Sequence, residues 1–348
     1  METRRERLRR RTNGYTVTAA QFVWISYAAL LALTLIVLSG AAVRLTGSGL
    51  GCPTWPKCYG NVYPPLNTHA VIEFSNRLIS VPVVLAAGAA WLGALRRRPY
   101  RRDLMWLGAL LPLGVIAQAV LGGFTVKGAL DYGWVMGHFA LSMLILLAAA
   151  LLVWRARQAE QAEAAGADAS APAPAPAVAV DRSIVLAVRG LAVLGAVTIV
   201  AGTAATAAGP HAGGSPGQRI NRLSFDGRAT MDFVIHRHAE IALLFSLAAV
   251  ALWWVARRRG VAESVQRPLT VLCVLLALQG FVGLDQYETH LPTELVWLHV
   301  GLACGAWLAA LWAAFAAGRL APRKAEDTSG LQSEASLRTV SPLEFPGN

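Results

Sequence analysis

Charge is what this chain has least of. Asp, Glu, Lys and Arg together are only 15% of its 348 residues, and 20 acidic groups stand against 31 basic ones. Water-soluble globules carry about a quarter of their residues as charges, so that class is excluded. Cysteine is also scarce, at four residues, which excludes a disulfide-stapled small domain. Only Cys52 and Cys58 lie close together, two thiols where a structural zinc site needs four ligands. The first apolar run is too long for a secretory signal and lacks a small-residue cleavage site, so it reads as a retained helix.

What the chain has instead is hydrocarbon. Hydrophobic residues make up 55% of it, and its mean hydropathy is positive. Runs of about 20 apolar residues, enough to cross a bilayer, fall near 20–43, 70–95, 104–125, 132–154, 183–207, 231–256, 267–287 and 293–317. The sequence therefore predicts an all-α membrane protein with eight transmembrane helices.

The formal charge of +11 raises nucleic acid as a partner, but the placement of the cations points to topology. Arginines cluster at 4–11, 96–102 and 257–259, with further Lys or Arg at 155, 157, 182, 267, 319, 323, 324 and 338. The alternate loops hold only Arg44, Lys57, Lys127, Arg219, Arg222 and Arg228. The positive-inside rule then predicts a multi-pass protein of the cell membrane, most simply a bacterial plasma membrane, with both termini cytoplasmic and no nucleic acid bound.

Composition divides the chain further. Residues 156–182 are Ala/Pro-rich and poor in bulky apolar groups, which predicts a disordered cytoplasmic linker. The expected organisation is a basic tail (1–19), a four-helix bundle (20–155), the linker (156–182), a second four-helix bundle (183–317) and a disordered tail (318–348). The halves repeat at an offset of about 160 residues. "SGAAVRLTGSGLG" ends the first helix as "AGTAATAAGPHAG" ends the fifth, Asn76-Arg77 matches His236-Arg237, "QAVLGGF" echoes "LQGFVGL", and His138 matches His299. Each half has an even number of helices, so the copies are predicted to be parallel, related by an axis along the membrane normal.

Ionisable groups inside a membrane are costly and by default functional. Asn76, His138, His236 and His299 are each expected about 10 Å below the outer surface. Two imidazoles at one depth on facing helices can clamp a haem iron, which predicts a bis-His site from His236 and His299. Arg77 and Arg237 would pair with haem propionates, which offsets the cost of burying a guanidinium. His238 lies about 200° around the helix from His236 and is read as structural. His290 reads as a solvated loop residue, and His211 as one able to approach a propionate edge.

Taken together these motifs resemble the haem A synthase family over roughly residues 20–317. "VRLTGSGLGCPTWPKC" (43–58) is similar to that family's first outer loop, "IEFSNR" (72–77) to its Glu-x-x-His-Arg helix, and "GPHAGG" (209–214) to its second-half loop. The resemblance implies oxidation of a methyl group of haem O to the formyl group of haem A, through successive hydroxylations and loss of water. It implies a haem b cofactor (iron) held by His236, His299 and Arg237, and substrate haem held by His138, Asn76 and Arg77. Glu73 is the implied catalytic carboxylate, a proton acceptor; an i, i+4 ion pair to Arg77 is the plainer alternative. Implied partners are the farnesyltransferase that makes haem O, cytochrome oxidase assembly factors and the bilayer, and a homo-oligomer is compatible.

Two departures from the family pattern matter. The usual first-half histidine is Asn76, so His138 is expected to be the only strong ligand there; His69, two turns away, would lie about 10 Å too far outward. A singly ligated first site would ease entry and exit of haem. Some family members carry a cysteine pair in each outer loop, whereas here only Cys52 and Cys58 are so placed, and a disulfide between them is expected. Two competing classes remain: a di-haem electron carrier, which leaves Glu73 and the loop signature unexplained, and a haem transporter.

Overall fold

A computed structural model of the protein describes residues 16–166, 180–225 and 229–318. Among these residues there are eight helices long and apolar enough to cross a membrane. They are α1 (Ala19–Leu45), α2 (Thr68–Arg96), α3 (Arg102–Lys127), α4 (Tyr132–Ala164), α5 (Arg182–Ala208), α6 (Ala229–Arg258), α7 (Glu263–Glu288) and α8 (Thr293–Ala316). Short polar side chains set several starts. Thr18 and Gln21 form a reciprocal capping box at α1, and the Asn67, Asp131 and Asp181 side chains accept backbone N–H bonds at α2, α4 and α5.

Helix contacts close two rings. In the first, α1 packs on α2 and α4, and α3 on α2 and α4; in the second, α5 packs on α6 and α8, and α7 on α6 and α8. Small residues allow the close approach that substitutes for hydrophobic driving force in lipid. A Cβ at Gly108 of α3 would lie 3.2 Å from the backbone of α2 at Ala90 and Trp91. The rings join where α8 meets α1 and α4 and where α4 meets α5. There Trp297 and Trp307 donate indole N–H bonds to the carbonyls of Leu38 (2.9 Å) and Met143 (3.1 Å), and Cys304, Trp307 and Leu311 enter the first bundle's core.

The expected linker begins too early. α4 continues to Ala164, because residues 156–164 are good helix formers and gain partners beyond the membrane: Arg157 bonds Tyr27, and Glu163 pairs with the fully buried Arg97 at 2.5 Å. The remainder of the linker, residues 167–179, lies outside the described residues, as do 1–15 and 319–348 of the two tails.

Candidate functional site

The polar residues of the first half meet at one end of the bundle, where residues 46–67 connect α1 to α2. Cys52 and Cys58 form the expected disulfide, and both are fully buried. The loop it closes is fastened to α2 by two charged side chains. Glu73, 5% exposed, accepts the Cys52 N–H at 2.6 Å and pairs with Arg77 one turn on. Arg77 in turn donates to the carbonyls of Cys52 (3.0 Å), Thr54 (2.9 Å), Pro56 (3.1 Å) and Lys57 (3.4 Å). Glu73 and Arg77 were expected to face a haem; they face the loop, and the i, i+4 pair is formed. The reason is local: the disulfide turn presents a cluster of carbonyls that no secondary structure satisfies, and a guanidinium satisfies several at once.

Gly51 permits this closure. A Cβ there would meet the His69 carbonyl oxygen at 2.2 Å and its carbon at 2.4 Å, backbone atoms that cannot swing away. Gly51→Ala is expected to cost about 3 kcal/mol, read as a lowered thermal midpoint of the detergent-solubilised protein; an unchanged midpoint would show that the loop is not docked in this way. His69 hydrogen-bonds Ser48 at 3.0 Å and belongs to the same loop platform.

Asn76 points elsewhere: its amide oxygen accepts from Ser39 of α1 at 2.9 Å. His138 on α4 lies against α3, where a Cβ at Gly122 would sit 3.4 Å from its Cε1. Gln118, one turn before Gly122, donates to the His138 carbonyl (3.0 Å) and to Ser142 (2.6 Å). The second half reproduces this at an offset of 161 residues. His299 on α8 lies against Gly283 of α7, where a Cβ would be 3.3 Å from its Cε1, and Gln279 donates to the His299 carbonyl at 3.1 Å. In both halves the imidazole Nδ1 is buried and has no partner.

The imidazole nearest His299 belongs to another histidine of α6. His238, read from sequence as structural, faces it with ring centroids 6.2 Å apart. The buried stripe of α6 runs Val234, Phe245, Ala249, Leu252 and Ala256, and His238 falls on it at helical spacing. His236 lies on the exposed side, edge-on to Tyr287 of α7. Its Nδ1 donates to the Asp232 carbonyl at 2.6 Å. That bond fixes the tautomer and leaves the Nε2 lone pair open, as in metal-ligating histidines. Arg237 is exposed, pairs with Glu240 and lies over the Phe233 ring at 5.7 Å.

One residue that sequence reasoning passed over joins the halves. Arg44, at the end of α1, donates to the carbonyls of His211 (2.9 Å) and Thr206 (3.3 Å), capping the C-terminal turn of α5. His211 donates to the Leu291 carbonyl at 2.7 Å, and Gly49 and Ser215 carry the seam further through Gly213 and Gly47. The signal was an arginine inside an apolar run, "AAVRL", with no acidic residue near it.

Buried imidazoles, each with its Nδ1 side against a glycine that leaves room for the ring, suit a metal macrocycle bound through the other ring nitrogen, because such a group brings most of its own ligands. Fold and site together define a duplicated, multi-helix membrane protein with a histidine site in each half. The chain belongs to the COX15-CtaA family of cytochrome oxidase assembly proteins, whose family model matches residues 23–311. It is similar to proteins named heme A synthase. The match to that of Lysinibacillus sphaericus is 35% identical over 137 residues, 37% of this chain and 43% of the relative. For Shouchella clausii it is 37% over 131 residues, 35% of this chain and 41% of the relative. For Shewanella oneidensis it is 26% over 312 residues, 81% and 92% respectively. The first two matches thus span less than half the length of those relatives.

Proposed function

We propose that this protein is an oxidoreductase of the cell membrane that converts haem O to haem A. The observation that carries the reading is the duplicated histidine site in a chain of this family, one copy for a substrate and one for a resident cofactor. Written as a half-reaction with water, conversion of a methyl group to a formyl group releases four electrons and four protons; the electrons must pass to an external acceptor, and the site must hold a large apolar substrate and accept protons beside it.

The first half is the substrate side. His138 would be its single strong ligand; Asn76, where the family pattern has a second histidine, is tethered to Ser39. Arg77 acts on the substrate through the loop that it holds, and Glu73, buried at the base of that loop, is the proton acceptor. In the second half His299 and His236 would hold a haem b, and Arg237, exposed and paired with Glu240, would exchange that partner for a propionate. Such a haem supplies one-electron redox chemistry. His236 is preferred to His238 because its Nδ1 is already committed to a carbonyl and its Nε2 is open, whereas the Nδ1 of His238 is buried without a partner. The distribution of cations supports cytoplasmic termini, and the enzyme that farnesylates haem together with oxidase assembly factors are the expected partners.

Extraction and chromatography of haems from the purified protein test this. Haem O or haem A besides haem b is the expected result. Haem b alone, when haem O is available, would replace the enzyme reading with that of an electron carrier.

A further inference from the structure

Among the described residues, seven buried side-chain polar atoms lack a hydrogen-bond partner, and four of them form two matching pairs: Gln118 Oε1 with His138 Nδ1, and Gln279 Oε1 with His299 Nδ1. A buried unsatisfied polar atom costs about 1–3 kcal/mol, so a repeated pair of such atoms calls for a partner. Here an acceptor is left over on a glutamine and a potential donor on the histidine whose carbonyl that glutamine bonds, twice, at the same offset of 161 residues.

The surrounding bonds show how the two atoms come together. Each glutamine spends its amide N–H on the backbone carbonyl of its own histidine, at 3.0 Å for Gln118 and 3.1 Å for Gln279. That anchors the carboxamide beside the histidine with its oxygen unspent. Each glutamine is one turn before the glycine against which the imidazole rests, on the same face of α3 or α7. The ring atoms nearest that glycine are Cε1 and Nδ1 in both halves. Nδ1 is therefore turned toward the helix that carries the glutamine.

Resting on the haem reading of His138 and His299, we propose that Gln118 and Gln279 are the positioning residues of the two axial histidines. With a metal on Nε2 the proton of the imidazole would reside on Nδ1, and the glutamine oxygen would accept the Nδ1–H hydrogen bond. The bond fixes the tautomer and ring orientation and makes the imidazole a stronger electron donor to iron. The two sites differ in rigidity. Gln118 has a second anchor in Ser142, whereas the corresponding position in the second half is Ala303, leaving Gln279 held by one bond.

The test is the midpoint potential of the second-half haem in full-length protein, with the low-spin ferric electron paramagnetic resonance signal as a second readout. Gln279→Leu removes the acceptor, so the potential should rise and the signal shift. Gln279→Glu keeps a buried acceptor, so its potential should stand at or below that of the wild type. An unchanged potential in the Leu variant with haem retained, or a rise in the Glu variant equal to that in Leu, would overturn the proposal. Should the Leu variant hold no haem, the Glu variant decides by the same sign. The parent reading fails separately: a His299→Ala protein with an unaltered low-spin spectrum would show that His299 is not a ligand, and both ideas would go.

Discussion

Glu73→Gln is expected to leave a folded protein with its disulfide formed and its haem b in place, yet to lower haem A formation by about 100-fold or more. The amide oxygen of glutamine can still accept the Cys52 N–H now bonded at 2.6 Å; the bond to Arg77, made by the other carboxylate oxygen, is lost, but Arg77 keeps its bonds to four loop carbonyls, so the loop stays docked. What is lost is the capacity to take up a proton beside the substrate, for which about 10²–10⁴-fold is typical. Glu73→Ala should be at least as inactive and should also release the loop, exposing the disulfide, now fully buried, to reductant. The pair of variants separates two roles. A fully active Gln variant beside an inactive Ala variant would make Glu73 a positioning residue for the disulfide loop and remove it from the chemistry. The measurements are the haem A to haem O ratio and the rate of thiol labelling after mild reduction.

The second large effect concerns retention of the cofactor. His299→Ala should reduce haem b to under about a tenth of the wild-type content, because the family match, the unpartnered Nδ1 and the glycine cradle converge on this imidazole. His138→Ala should leave haem b and lose haem O. Comparison of His236→Ala with His238→Ala then identifies the opposite ligand: loss of the low-spin spectrum in the first variant alone supports the open Nε2 of His236. Loss in the second alone would mean that the ring 6.2 Å from His299 is the ligand, and the His-Arg assignment would be abandoned.

The sequence by itself determined the membrane class, the eight helices, the two-fold repeat and the Cys52–Cys58 pairing. These follow from quantities local to the chain: apolar run length against bilayer thickness, residue spacing within a half, and two cysteines in one short loop. Tertiary structure alone decided which side of each helix does what. In water an amphipathic stripe shows the inward face, but lipid is as apolar as a protein core, so helices that are hydrophobic all round carry little such sign. That is why spacing could separate His236 from His238 by 200° without telling which one meets His299. It is also why nothing in the sequence signalled that the face of α2 carrying Glu73 and Arg77 receives the disulfide loop. Arg44 and the two glutamines were hidden for a related reason: their partners are backbone carbonyls, which every residue carries and no residue type advertises.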